Sequence, residues 1–423
     1  MVVILTIFVL GIIIFVHEFG HFIAAKLVGI YVETFSIGFG PRIFSFRFWD
    51  TEFALSAIPF GGYVKMKGDN PEETTYAGDE FLGKSVPQRI LVVLSGPVMN
   101  LILGFVVFFG AYKFVGFTSI PGNKIESVEE GSIAQLAGFK PGDEILSIDG
   151  QPFKYWEDFF KKILKPGVHR VVVRRGDEKV TISVSYKDTL KLGFIPYIPP
   201  VIGEVRKGGP ADRAGFMPGD SVVAINGAEI RSWSDMVKII KSHPQETLKV
   251  TVYRAGKLVT LTVVPEVKVD ENGKKIGLIG IMAPYVTVRL PFKEALMVSV
   301  NRTISSAKLI FDILGKLVTR KVSVKQIGGP VMIGKVIGES YSYGLYTLLV
   351  VVALISINLF VINIIPFPAL DGWYVLIFLI EAIAGKPVPL RTQALLQRLG
   401  FAILIAFMLL ITFFDISRIF GGR

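Results

Sequence analysis

The chain has 423 residues, a net charge of +11, four histidines and no cysteine. With 51% hydrophobic residues and a mean hydropathy of +0.54 it is too apolar for an ordinary soluble enzyme, so membrane segments must alternate with soluble ones. Disulfides, a thiolate metal site and a cysteine nucleophile are excluded, and the excess of Lys and Arg fits juxtamembrane contact with anionic lipid better than nucleic-acid binding.

The first predicted element is a span from Val2 to Ala25, uncharged as far as Val16. No basic segment or small-residue cleavage site marks it as a removable signal, so it reads as a retained span. Near its end stand His17-Glu18-Phe19-Gly20-His21. A carboxylate and two imidazoles at bilayer depth are costly unless they pair, line a wet cavity or hold a metal. On a helix, residues four apart lie about 40° apart around the axis and roughly 6 Å apart along it, so both imidazoles face one way. That spacing is the zinc-hydrolase signature, with His17 and His21 as ligands and Glu18 as general base. The bland alternative, two histidines bonded to backbone, weakens inside an apolar span.

Next, Phe44 to Trp49 and Glu52 to Ile58 read as a hairpin, with Gly61-Gly62-Tyr63 a third strand or turn. Its edge could hold an unwound substrate as an added strand, or the hairpin could simply dip into the membrane. A second span runs from Ile90 to Phe114 and contains Ser95-Gly96-Pro97 and Asn100. Lys26, Arg42, Arg47 and Arg89 lie between these spans, and Lys386, Arg391 and Arg398 between the third and fourth. The positive-inside rule puts both loops in the cytoplasm, leaving the N-terminus and the soluble middle, about Val115 to Tyr343, outside.

That middle contains a duplication. Ala137-Gly138-Phe139-Lys140-Pro141-Gly142-Asp143 recurs as Ala214-Gly215-Phe216-Met217-Pro218-Gly219-Asp220, Ile148-Asp149-Gly150 as Ile225-Asn226-Gly227, and Trp156 as Trp233. Short β-branched strands (170–173, 180–185, 248–253 and 258–264) and tight turns accompany each copy. The copies resemble PDZ domains, which accept a peptide by β-addition, though they could equally act as spacers or steric gates. Leu192-Gly193-Phe194-Ile195 resembles the PDZ carboxylate-binding loop and is expected to serve the second copy, with Gly116-Phe117 standing in the first. From Pro291 to Leu314, Leu296, Val300, Ile304, Ala307, Phe311 and Leu314 recur at helical spacing. This predicts an amphipathic helix on the outer membrane surface, or one packed on the repeats.

A third span covers Leu345 to Ile365, and Pro366-Phe367-Pro368 breaks it. Trp373 to Ala384 is apolar but too short to cross, so it reads as a half-helix or interfacial segment, and a fourth span covers about Gly400 to Phe414. A catalytic zinc generally keeps three protein ligands. His169 and His243 fall in the repeats, which makes Asp371 the best third candidate. Spans one and three run the same way, so His17, His21 and Asp371 share one depth. Pro366 and Pro368 free backbone groups, tolerated at depth only beside protein or water. The Asn363 amide could bond substrate backbone or stabilise an oxyanion, or merely bridge helices.

His17-Glu18-Phe19-Gly20-His21, Leu370-Asp371-Gly372 after Asn363-x-x-Pro366-x-Pro368, and the two inserted repeats together resemble the site-2 protease family, in its branch with tandem PDZ domains. Phe35-Ser36-Ile37-Gly38-Phe39-Gly40, Gly61-Gly62-Tyr63-Val64-Lys65-Met66 and Gly96-Pro97-x-x-Asn100 extend the resemblance. Trp373 departs from it, where the family usually has a second glycine. The resemblance implies a bacterial inner-membrane protease with one catalytic zinc that cuts single-span proteins such as anti-sigma factors, with peptide ligands at the PDZ grooves. The expected architecture is a polytopic α-helical membrane protein with two inserted α+β PDZ-like domains. Its parts are a first membrane region (1–114), two PDZ-like domains (115–190 and 191–268), a linker with the amphipathic helix (269–344) and a second membrane region (345–423). An inert PDZ scaffold would lack the base or a ligand, and a zinc transporter would carry further intramembrane His or Asp along a path.

Overall fold

The computed structural model describes residues 1–70, 74–186, 191–269, 273–323, 328–386 and 388–420. It forms two compact units, Met1–Phe117 with Arg289–Arg423, and Thr118–Val288. Among the described residues four helices are long and apolar enough to cross a membrane: Val2–Leu27, Val86–Val115, Leu345–Ile364 and Arg391–Arg418. Each outruns its sequence-based expectation or matches it within a residue; the fourth extends furthest, through the polar stretch 390–399 that precedes its apolar run.

Helix α1 (Val2–Leu27) packs against α2 (Val86–Gly110), which starts from a Ser85–Gln88 capping box and ends in a π turn over Ala111–Val115. Their backbones touch at Gly20, where a Cβ would lie 2.4 Å from the Ser95 carbonyl oxygen. Such close approach is the usual role of small residues between membrane helices. Between these helices, β1 (Val32–Phe48) and β2 (Thr51–Met66) fold over one another. Residues 34–37 pair with 52–55 on one side and 62–65 on the other, while 44–47 pair with 52–55. The result is an antiparallel sheet of four segments, in the order 62–66, 32–37, 51–56, 42–48. Gly38 and Gly40, at φ of 87° and 85°, turn the chain between the two halves of β1. Phe35 and Phe53 lie on the face toward α1, each in ring contact with Phe22 at 5.7 and 5.5 Å. The expected hairpin is the outer part of this sheet. The segment 32–37 escaped notice because Glu33, Thr34 and Ser36 blur its apolar alternation.

In the second unit, β3 (Phe117–Ser119) opens the chain and the first repeat follows. It comprises β4 (Ile125–Val128), α3 (Ile133–Ala137), β5 (Glu144–Ile148), β6 (Gln151–Pro152), α4 (Trp156–Ile163), β7 (Gly167–Arg175), β8 (Glu178–Tyr186) and β9 (Phe194–Pro196). The second comprises β10 (Glu204–Val205), α5 (Pro210–Arg213), β11 (Ser221–Ile225), β12 (Ala228–Glu229), α6 (Trp233–Ser242), β13 (Leu248–Arg254), β14 (Lys257–Val263), β15 (Glu266–Val269), β16 (Lys275–Leu278) and β17 (Ile281–Met282); β18 (Val286–Val288) closes the unit. The sheets β6-β5-β7-β8 and β12-β11-β13-β14 share one order, and the pairs β4–β9 and β10–β17 correspond. The repeated Pro-Gly-Asp now has a reason. Asp143 and Asp220 are buried and each receives two bonds from an arginine fork, Arg175 (2.7 and 2.8 Å) and Arg254 (2.6 and 2.7 Å).

One expectation is corrected here. Leu192-Gly193-Phe194-Ile195 belongs to the first copy, not the second. The Gly193 and Leu192 carbonyls accept from Glu129 N (2.6 Å) and Ala134 N (2.9 Å), and Phe194 packs on Trp156 and Phe160. In the second copy the Gly280 and Ile279 carbonyls accept from Arg206 N (2.8 Å) and Ala211 N (2.9 Å). The loop strand is therefore the last element of each copy rather than the first, and Gly116-Phe117 only leads into β3.

The chain returns to the first unit with α7 (Phe292–Val318), α8 (Pro330–Ser342), α9 (Leu345–Ile364), α10 (Asp371–Ala384) and α11 (Leu390–Phe420). Helix α7 is helical as expected, and it packs on protein by a face other than its large apolar one. Ala295, Ser299, Thr303 and Ser306 are its buried stripe, whereas Leu296, Val300, Ile304 and Phe311 are exposed. The stripe faces α2 and α9; two of its hydroxyls bond within the helix, Ser299 Oγ donating to Ala295 O (2.7 Å) and Thr303 Oγ1 to Ser299 O (2.8 Å). Small residues pack between helices while large apolar ones face lipid. Helix α8 was not foreseen. Its first turn is capped by the buried Asp415 of α11, which accepts from Gly329 N (3.1 Å) and Met332 N (2.9 Å).

Candidate metal centre

His17 and His21 project from the second half of α1 onto α2. A Cβ on Gly96 would lie 2.2 Å from His21 Nε2, so glycine there lets α2 lie directly under the imidazole. His21 Nδ1 sits 2.8 Å from the Val92 carbonyl oxygen. Donating that ring proton fixes the tautomer and leaves the Nε2 lone pair for a metal. His17 Nδ1 lies 3.2 Å from the Asn100 side-chain amide, whose Oδ1 is buried without a partner. Orphan and ring proton are matched when Oδ1 faces His17, accepting Nδ1–H and freeing Nε2 in turn. Ser356 Oγ of α9 donates to the Asn100 carbonyl (2.7 Å), tying a third helix to the same residue.

Asp371 arrives from α9. That helix ends at Ile364, and the connector passes through Pro366, Pro368 and Ala369, the last at a φ of 86°. Held strain of this kind costs of order 1–3 kcal/mol and clusters at functional sites. Gly372 fits beneath the end of α9, since a Cβ there would lie 2.2 Å from the Ile364 oxygen. Asp371 thereby becomes the first residue of α10, where the helix dipole favours a carboxylate. Asn363 is half-buried in the last turn of α9.

The three donor atoms form a compact triangle. His17 Nε2 and His21 Nε2 are 3.3 Å apart, and Asp371 Oδ2 lies 3.2 and 3.7 Å from them. Ligands at the usual zinc distances in a tetrahedron stand about 3.3 Å apart. The residues fit zinc, with a fourth corner left for water. Among the described residues this is the one group of three or more such side chains placed to hold a metal. His169 bonds to Asp149 and the Lys165 carbonyl, and His243 to the Ile239 carbonyl, so both serve the repeats.

Glu18 is half-buried, and the segment 61–63 runs beside it. A Cβ on Gly62 would lie 2.9 Å from Glu18 Cγ, so only glycine leaves the carboxylate its place. Segment 62–65 pairs with 34–37 on one edge, and its other edge has no strand partner among the described residues. Gly61, at a φ of 99°, packs on Phe39, which stacks on Tyr63. Leu192 to Ile195 lie in the second unit. In the sequence Gly96 and Asn100 stand out within the second span without a role attached, and nothing marks Val92. A small and a polar residue one turn apart in an apolar span was the available signal; a backbone carbonyl leaves none.

Residues 5–407 match the model of peptidase family M50. The chain is 35% identical to a putative zinc metalloprotease of Vibrio cholerae over 97% of both chains. It is 33% identical to the regulator of sigma-E protease RseP of Escherichia coli, and 32% identical to the zinc metalloprotease RasP of Geobacillus kaustophilus, again over 97% of each chain. Among solved structures, the PDZ domain of an SdrC-like protein from Listeria monocytogenes is similar at 21% identity, covering 21% of this chain and 90% of that one with a TM-score of 0.18.

Proposed function

The chain belongs to peptidase family M50 and is a membrane-embedded zinc metalloprotease, and we propose that His17, His21 and Asp371 hold its zinc while Glu18 is the general base. The observation that carries this reading is the donor triangle, with edges of 3.2 to 3.7 Å, beside a carboxylate and an open strand edge. Bound zinc supplies a Lewis acid that acidifies a water and polarises the scissile carbonyl. Glu18 takes the proton of the attacking water and delivers it to the leaving nitrogen. Asn100 and the Val92 carbonyl hold the two imidazoles in the tautomer that binds metal.

A substrate helix hides its carbonyls in its own hydrogen bonds and must unwind before attack. Segment 61–63 is the platform for the unwound strand: Gly61, Gly62 and Tyr63 offer backbone groups beside Glu18. Asn363 and the groups freed by Pro366 and Pro368 border the opposite side of the substrate. By the positive-inside rule, the metal lies toward the cytoplasmic side of the inner membrane and the repeats outside. Two relatives are named for sigma-E regulation and zinc proteolysis, which supports single-span, anti-sigma-factor-like substrates. In the first repeat, Leu192 to Ile195 and β9 beside α4 form the groove for an extended peptide, with Ile279 to Ile281 and β17 beside α6 as its counterpart.

Glu18→Gln should retain zinc and lose cleavage of a co-expressed single-span reporter; cleavage at the parental rate would remove Glu18 as the base. Asp371→Ala should lower bound zinc in elemental analysis, and undiminished metal would exclude it as a ligand.

A further inference from the structure

Away from the metal, α2 and α10 are joined by a buried ion pair. Arg89 is 7% and Glu381 19% exposed at the side chain, with Nη2 to Oε1 at 2.6 Å and Nη1 to Oε2 at 3.1 Å. The guanidinium lies 4.6 Å over the Phe378 ring, and its Nε is buried without a partner. Both charges stand where their helices disfavour them. Arg89 is in the opening turn of α2 and Glu381 in the closing turn of α10, so each opposes its helix dipole. An orphaned donor and two adverse dipoles make this a poor way to gain stability. Buried ion pairs of this kind are best attested as devices that fix register.

The register they fix is that of the metal site. Along α10, Glu381 lies about 15 Å from Asp371; along α2, Arg89 lies about 10 Å from Gly96 and about 16 Å from Asn100. Helices α2 and α10 pack together; the ion pair marks one level, and at the other Asp371, at the start of α10, meets the two imidazoles that α2 supports. Asp371 belongs to α10, whereas the groups orienting both imidazoles, Val92 and Asn100, belong to α2. A slip of one residue would shift Asp371 by about 1.5 Å, against a tolerance of about 0.2 Å for a metal ligand. Resting on the ligand assignment above, we propose that Arg89 and Glu381 are positioning residues that hold Asp371 at the height of His17 and His21.

The test measures zinc affinity of the purified full chain by chelator competition, alongside its helicity and unfolding midpoint. Glu381→Gln and Arg89→Lys should each weaken zinc binding by about tenfold to a hundredfold, because neither an amide nor a lone ammonium reproduces the fork. The exchange Arg89→Glu with Glu381→Arg should restore most of the affinity, since the pair is rebuilt and each charge then suits its helix end. Asp415→Asn, which loosens the α8 cap, should leave zinc affinity at the parental value. Affinities within twofold of the parent for Glu381→Gln and Arg89→Lys, or an exchange no better than the single variants, would overturn the proposal. If Arg89→Lys does not fold, Glu381→Gln and the exchange decide. Asp371→Ala separates the two readings: zinc lost there but kept in Glu381→Gln refutes the positioning pair alone, and zinc kept in Asp371→Ala refutes the ligand set.

Discussion

Two residues beside the metal do their work through what they lack or leave open. Gly62 has no side chain because the Glu18 methylene occupies that space, with 2.9 Å to the position a Cβ would take. Gly62→Val should therefore displace Glu18 and the platform strand together, cutting reporter cleavage by at least tenfold while bound zinc stays at the parental level. Loss of zinc in that variant would show that the strand supports the metal rather than the base. Asn100 holds His17 through one amide group, and Asn100→Leu should weaken zinc binding by about tenfold to a hundredfold, read by chelator competition. Asn100→Asp, which keeps an acceptor for Nδ1–H, should recover part of it. That His17 and His21 share one face was legible because helix geometry imposes the spacing, and that Asp371 meets them because the third span runs parallel to the first. The roles of Val92 and Asn100 were not, nor was the closeness of Gly62 to Glu18, since each depends on a neighbour distant in sequence.

Among the elements, the duplicated repeat is plain from its turns, yet sequence order alone suggests the loop strand for the second copy when it closes the first. Glycine and apolar residues mark such a strand, but only pairing of β9 with β4 shows which repeat it closes. Helix α7 carries a similar lesson. Its large apolar residues defined the amphipathic face, while packing uses Ala295, Ser299, Thr303 and Ser306. Periodicity reports which face is apolar, and in a membrane that face need not be the one that meets protein. Ser299→Leu should thus lower the unfolding midpoint of the membrane unit, since overpacking costs typically about 1–3 kcal/mol, whereas Ile304→Leu should leave it unchanged. The repeats also differ in pH response. Burial opposes charge on His169, but the Asp149 carboxylate and the Lys165 carbonyl outweigh it and raise its pKa above 6.5. A raised folded-state pKa gives stability that is full below the ordinary histidine range and disappears as pH rises through the folded value. The first repeat should therefore lose stability from pH 6 upward, and His169→Gln should flatten that slope. Equal slopes for parent and variant would contradict it. In the second repeat Asn226 stands at the corresponding turn, so no such slope is expected.

For the whole molecule, the two units have separate hydrophobic cores. One repeat is built around Trp156, Phe159 and Ile163 and the other around Ile225, Met236 and Ile240, while the membrane unit has its own clusters. Heating should give distinct transitions for the membrane unit and the repeats. Chelation should lower the first alone, because zinc binds only the folded metal centre and stabilises it by mass action. A chelator that shifted both transitions equally would show that the units unfold as one. The alternation of apolar spans with a soluble insertion made this division visible in composition. The four-segment sheet was less visible, because its strands mix polar and apolar residues and only part of it packs on α1.

If the open edge at 61–63 takes substrate as proposed, it limits what this protease can distinguish. An added strand is gripped by main-chain groups that every residue shares, and Gly61 and Gly62 add no side-chain pocket. Discrimination then shifts from the letters of the substrate to the ease with which its helix comes apart. Glycine or proline in a span costs a helix about 1–3 kcal/mol relative to alanine. Such residues near the cut would act as the address, and a uniformly Leu- and Ala-rich span would pass unread.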